Sequence, residues 1–251
     1  MSFPSLPPAV PALVNRLAAG RPVHAVWVNE LGGITFRIGS GAEFVKVAKP
    51  GSVDFTNEAH RLRWAARYLA VPRVLGLGVD HGPDGDLAWL RTGGLPGVSA
   101  VHPRWRTSPD VAVRAIAVGL RALHDRLPAP SCPFSWSAQD RLATLEPLRR
   151  ADLGQPPPID QLVVCHGDAC SPNTLIDDMG RCCGHVDFGD LGVADRWADL
   201  AVATLSLQWN YPEYPGRCWE DEFFAAYGVT PDPLRIDYYR RLWQSEPNGS
   251  G

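Results

Sequence analysis

The stretch His166-Gly-Asp-Ala-Cys-Ser-Pro-Asn173, followed at hairpin distance by Asp187-Phe-Gly189, constrains the fold of this chain more than any other. It sets a carboxylate, Asp168, shortly before an amide, Asn173, and returns a second carboxylate, Asp187, after a short strand-turn-strand. The flanks are short and apolar. Gln161-Leu-Val-Val-Cys165 reads as a buried strand entering the loop, and Thr174-Leu-Ile176 as a strand leaving it. Asp178-Met-Gly180 reads as a turn, and residues 182–186 as the strand that delivers Asp187. The three polar side chains therefore project from loop ends on a rigid scaffold.

Those residue types match what phosphoryl transfer requires. A transferring γ-phosphoryl group needs in-line positioning and cancellation of negative charge more than covalent help. Mg²⁺ is a hard ion that takes oxygen ligands and keeps several waters, so one carboxylate and one amide oxygen suffice. Asn173 and Asp187 are the expected metal ligands, and Asp168 is the expected acceptor of a hydroxyl proton. Asp and Asn also cap ordinary turns, but that reading leaves Asp187-Phe-Gly189 unexplained.

The upstream sequence supplies an independent test. A kinase-type site also needs a lysine on a strand to grip phosphates, oriented by a glutamate from the next helix. Of the 24 Lys+Arg residues only Lys46 and Lys49 are lysine, both in the β-rich segment Glu43-Phe-Val-Lys-Val-Ala-Lys49. A lysine here, in a chain that otherwise uses arginine, suggests a need for a compact ammonium rather than a planar fork. Glu58 follows in a stretch with helical apolar spacing at 55, 59, 62, 65, 66 and 69. Lys46 with Glu58 is the expected pair. Lys49, just before Pro50-Gly51, is expected to be solvated.

With these residues in view, the chain resembles the aminoglycoside phosphotransferases of the kinase-like superfamily, most closely those that phosphorylate a 3′ or 3″ hydroxyl. The resemblance rests on Val164-Cys-His-Gly-Asp-Ala-Cys-Ser-Pro-Asn-Thr-Leu-Ile-Asp177, on residues 184–200, on Phe44-Val-Lys46 and on Leu95-Pro-Gly97. It implies an α+β, two-lobed protein-kinase-like fold: a small antiparallel β lobe with one helix over residues 1–93, and a larger, mostly helical lobe over 94–251. It further implies ATP or GTP as donor, Mg²⁺, and a small hydroxylated acceptor. Asp168 would be the catalytic base, Asn173 and Asp187 the metal ligands, and Lys46 a phosphate ligand. The backbone around Gly93 to Leu95 would meet the adenine edge.

The chain departs from the family at the acceptor end. Asp190 stands where many aminoglycoside enzymes carry arginine, and no acidic pair follows Tyr238-Tyr-Arg-Arg-Leu-Trp243. A kinase for another small alcohol, such as a macrolide sugar or a metabolite, thus remains the alternative, and a catalytically silent nucleotide binder a further one. Asp190 and Glu213 are the acceptor-facing acids expected. For Asp195 and Asp199 a helix-start charge and a buried anchor for the catalytic loop are the stronger readings. Glu220 to Glu222 are expected on a solvated helix start. Trp209, Tyr211 and Tyr214 could stack on a sugar ring or pack in the core.

A net charge of −3 and a pI near 6.1 exclude a nucleic-acid partner of the usual basic kind. The first ten residues lack a basic n-region and are proline-rich, unlike a signal peptide, and no apolar run reaches spanning length. A cytoplasmic location without an obligate protein partner is expected. Cysteines at 132, 165, 170, 182, 183 and 218 fit no zinc-finger spacing. Cys165, Cys170, His166 and His185 could still gather near the loop, but free thiols are the default in a reducing compartment.

Strands are expected near 23–28, 34–38, 43–48, 73–79 and 86–92, the last two flanking a turn at Asp80–Gly85. Beyond a Gly93-Gly94 hinge, helices are expected over 109–125, capped by Thr107 or Ser108, and over 137–150, 194–208, 217–227 and 231–243. Residues 246–251 read as a mobile tail.

Overall fold

The computed structural model describes residues 9–29, 32–211, 213 and 216–246. The chain divides into two compact units, residues 1–67 with 71–95, and residues 68–70 with 96–251.

The first unit is an antiparallel sheet with two helices. In chain order it runs α1 (Ala12–Ala18), β1 (Val23–Val28), β2 (Ile34–Ile38), β3 (Glu43–Ala48), α2 (Phe55–Ala65), β4 (Val74–Gly82) and β5 (Gly85–Gly93). The strand order is β1-β2-β3-β5-β4, which makes β3 central. Alternation along β3 buries Val45 and Val47 on one face and turns Lys46 to the other. Lys46 stands opposite Thr35 on β2 and Leu90 on β5, so two neighbours fix its backbone. On the buried face Phe36, Ile38, Val45 and Val47 pack against Leu13, Val14 and Ala18 of α1. Burying each large apolar side chain contributes about 1.5–3 kcal/mol. The helix α1 was not expected, because the proline-rich start conceals its apolar pairs. Helix α2 starts at Asp54, whose carboxylate accepts the Thr56 and Asn57 amides at 3.0 and 3.1 Å.

The second unit comprises β6 (Val98–Ser99), α3 (Pro103–Arg106), α4 (Pro109–Arg126), α5 (Ala138–Thr144), α6 (Pro147–Leu153), β7 (Leu162–Cys165), β8 (Thr174–Ile176), β9 (Cys182–His185), β10 (Gly192–Asp195), α7 (Trp197–Asn210), α8 (Trp219–Tyr227) and α9 (Pro233–Ser245). Helix α7 is buried on all sides from Trp197 to Leu207, the mark of a central helix. Helix α4 turns Ala112, Val113, Ile116, Leu120 and Leu123 inward. A Cβ on its Gly119 would overlap Cys182 Sγ, so the absent side chain lets β9 lie close.

Several expected boundaries need correction. Residues 137–150 form two helices, because Pro147 opens a new one after extended backbone at Glu146. Residues 192–195 are a strand rather than a helix start: β10 pairs antiparallel with β7, Gly192 opposite Cys165 and Asp195 opposite Leu162. Tertiary pairing overrides local helix preference there. The turn expected at Asp80–Gly85 is tighter, with Gly82 and Gly85 already paired. Ser108 occupies the N-cap position of α4 without a side-chain cap hydrogen bond. Tyr214 and the tail beyond Glu246 lie outside the described residues.

Candidate active site

The loop after β7 is held by its main chain. Gly167 has φ +90°, and a Cβ there would overlap the Asp190 carbonyl, so both conformation and space require glycine. Asp199 of α7 accepts the His166 amide at 2.6 Å and the Gly167 amide at 3.0 Å. Its Oδ2 also accepts His124 Nε2 at 2.9 Å, and His124 Nδ1 lies 2.8 Å from the Tyr227 hydroxyl. A second α7 residue, Ser206, accepts the Ser171 amide at 2.9 Å. Burial pushes the Asp199 carboxyl up, but the His124 hydrogen bond, the His124 and His166 charges and the His166 amide outweigh it, and the net shift is downward. Asp199 therefore serves the loop as a buried carboxylate anchor.

His166 locks the loop from within. Its Nε2 donates to the Val186 carbonyl at 2.9 Å, and its Nδ1 accepts the Asp168 amide at 3.3 Å. The Val186 amide in turn donates to the Asn173 carbonyl at 3.0 Å, which ties the β9 exit to the loop. Phe188 is fully buried with its ring 4.8 Å from His166.

This frame gathers the three expected side chains of the second unit. Asn173 Nδ2 donates to Asp168 Oδ2 at 2.8 Å and to the Asp168 carbonyl at 3.0 Å. The exposed Asp187 adopts φ +67°, a left-handed conformation that Asp tolerates better than most residues. Burial raises the Asp168 pKa; the nearby Cys170 thiol opposes the rise, and the charge of Asp187 adds to it. Asp168 Oδ1 is buried without a hydrogen-bond partner. With Nδ2 turned to Asp168, Asn173 Oδ1 accepts no hydrogen bond among the described residues. An amide oxygen and a carboxylate beside an acid whose Oδ1 is unpaired fit a hard divalent cation.

In the first unit, Lys46 Nζ donates to Glu58 Oε1 at 2.7 Å. Glu58 is buried in the first turn of α2, where the helix dipole favours its charge. Lys49 is exposed. At the end of β5 the Gly93 amide donates to the Arg73 carbonyl and the Gly94 amide to the Ala42 carbonyl, each at 2.8 Å. The Leu95 amide of this trio makes no hydrogen bond among the described residues.

The acidic candidates separate. Asp190 packs on Gly167, next to Asp168. Glu213 is exposed, and its neighbours Pro212, Tyr214 and Pro215 lie outside the described residues. Asp195, the last residue of β10, accepts the Asp160 and Trp197 amides at 2.9 and 3.2 Å, just before α7. Glu220 pairs with Arg240 at 3.0 Å and Glu222 with Arg217 at 2.7 Å. Tyr211 is buried, its hydroxyl donating to the Ala100 carbonyl at 2.9 Å, while Trp209 remains partly exposed. The alternative gathering of Cys165, Cys170, His166 and His185, set against free thiols as the default, is not the metal-like grouping observed; among the described residues that grouping is His124, Cys165 and Asp199. All three are buried and already hydrogen-bonded. His124, Ser206 and Tyr227 were missed as loop supports. The sequence signal for His124 was a histidine continuing the apolar stripe of α4.

Comparison with known proteins agrees with this geometry. Residues 34–239 match the phosphotransferase enzyme family. The aminoglycoside 3′-phosphotransferase of Streptomyces fradiae is 31% identical over 87% of this chain and 93% of that protein. Among solved structures, an aminoglycoside 3′-phosphotransferase of type VIII superposes with a TM-score of 0.71 at 30% identity, over 91% of this chain and 96% of that one. An aminoglycoside phosphotransferase APH(3″)-Id from Streptomyces rimosus, in complex with ADP and streptomycin, gives 0.67 at 26% identity, over 92% and 96%. The kinase-like α+β fold expected from the sequence is thereby borne out. The chain belongs to the phosphotransferase enzyme family and is an O-phosphotransferase.

Proposed function

We propose that this chain transfers the γ-phosphoryl group of a nucleoside triphosphate to a hydroxyl of an aminoglycoside, with Mg²⁺, in the cytoplasm. The observation that carries the reading is the Asn173 hydrogen bond to Asp168, with the Asp187 charge felt at the same carboxylate. The ADP and streptomycin bound to the Streptomyces rimosus relative support ATP as donor and an aminoglycoside as acceptor. The six cysteines are free thiols, which suits a reducing compartment, and no helix among the described residues is long and apolar enough to cross a membrane.

In this reading the first unit binds the nucleotide, with Lys46 on its phosphates, Glu58 orienting Lys46, and the backbone from Gly93 to Leu95 facing the base. Asn173 Oδ1 and the Asp187 carboxylate would hold the metal, which when bound would supply neutralising charge to the phosphates. Asp168 orients the acceptor hydroxyl. As the acceptor oxygen bonds to the γ-phosphorus, the bond to the β–γ bridging oxygen breaks and the nucleoside diphosphate leaves. The hydroxyl proton passes to Asp168. Asp190 and Glu213 would meet acceptor ammonium groups.

A narrower alternative, another small alcohol as acceptor, draws on the pairing of Glu220 and Glu222 with arginines, which leaves fewer unpaired acids for a polycation. One assay separates the two. ADP release is measured with kanamycin, neomycin, streptomycin, a macrolide and an amino alcohol. Release with an aminoglycoside is expected; release with the macrolide or amino alcohol alone would replace the acceptor class.

A further inference from the structure

Helix α7 is buried through Leu207 and then presents Trp209 at 38% exposure. Two observations place that indole on the catalytic-loop side of the helix. Ser206, three residues earlier and thus on the same face, accepts the Ser171 amide of the loop. The Trp209 ring also leans on Trp243, 5.7 Å between centroids at 36°. Trp243 in turn packs in a cluster with Val202 and Leu205 that includes Cys170, two residues beyond Asp168. One buried indole therefore backs a second that keeps 38% of its surface exposed, and the pair adjoins the loop that carries the base.

From this we infer that Trp209 is a recognition residue for the acceptor, its open indole face stacking on an aminocyclitol or aminosugar ring. The inference rests on the aminoglycoside reading above and adds the mode of recognition. A ring bearing both C–H faces and ammonium groups suits an indole, which offers apolar area and a negative π-face together. The local charges favour this mode. Glu220 and Glu222 are occupied by Arg240 and Arg217, so an aromatic surface adds attraction that these two carboxylates do not.

The test is a comparison of W209A, W209L and W209F with the wild type, using whichever of kanamycin, neomycin and streptomycin is turned over fastest. W209L retains cover over Trp243 but lacks a π-face. W209A and W209L are expected to raise the acceptor KM roughly five- to thirty-fold, with kcat and nucleotide KM within about twofold, and W209F to recover most of the loss. Adding the same aminoglycoside to the ADP-bound wild type should change its tryptophan emission, and the change should shrink in W209F. Turnover by W209L with a wild-type acceptor KM overturns the stacking while leaving the phosphotransferase reading intact. No turnover with any of the three, but a Trp209-dependent emission change, supports the stacking and sinks that reading. No turnover and no such change overturns both.

Discussion

Replacing Asp199 with Asn tests how the catalytic loop is held. The native carboxylate accepts three N–H groups, those of His166, Gly167 and His124, at full burial. An amide offers one acceptor oxygen. Placed where Oδ2 now sits, that oxygen keeps the His166 and His124 bonds, and the new NH₂ then faces the Gly167 N–H. A lost hydrogen bond to a charged acceptor costs about 1.5–3 kcal/mol, and a buried donor left without a partner about 1–3 more. A net loss of about 3–5 kcal/mol follows, in the range for breaking a buried charged network. At roughly 2–4 °C per kcal/mol for a chain of this size, the melting temperature should fall by about 6–20 °C. Because Gly167 precedes Asp168, kcat should fall about 100-fold, with nucleotide KM little changed. The effect also has a pH signature. Asp199 is depressed in the folded state, so its contribution is present above the unfolded carboxyl value near 3.9 and lost as pH falls through the lower folded value. Calorimetric scans from pH 6 to pH 3 should therefore show a shallower acid decline for D199N below about pH 4. A variant melting within about 2 °C of wild type with unchanged kcat would refute the anchor.

The remaining predictions concern the proposed chemistry. Asp168→Asn should lower kcat by about 10²–10⁴ while ADP binding by calorimetry stays near wild type; full turnover would remove Asp168 as the base. Asp187→Ala should weaken nucleotide binding in the presence of Mg²⁺ and leave metal-free binding nearly unchanged, and equal affinity with Mg²⁺ would contradict a metal role. Lys46→Ala should raise the nucleotide KM more than the acceptor KM, which steady-state kinetics with each substrate varied in turn will read.

Much of this was legible before the structure because it is local. Strands β1, β2 and β3 follow from apolar alternation between turns, and the Asp168–Asn173 contact from spacing within one loop. What escaped depends on partners far along the chain. Residues 192–195 become a strand only because Leu162–Cys165 lie alongside, and α1 exists because the sheet offers Phe36 and Val45 to cover. His124 has no meaning as a loop support until α4 is packed beside α7, which brings it to Asp199. The tightness of Gly167 against Asp190 is likewise a fact of packing rather than of either segment alone.

The anchoring of the loop through amide groups, at His166, Gly167 and Ser171, separates where it sits from what it displays. Side chains at 169 and 170 contribute nothing to those three bonds. Because main-chain groups carry the anchoring, substitution at exposed positions outside the loop, such as Trp209, can reshape the adjoining surface while Asp168 keeps its place. In evolutionary terms such a loop gives a lineage latitude to change which molecules it modifies without rebuilding the machinery that modifies them.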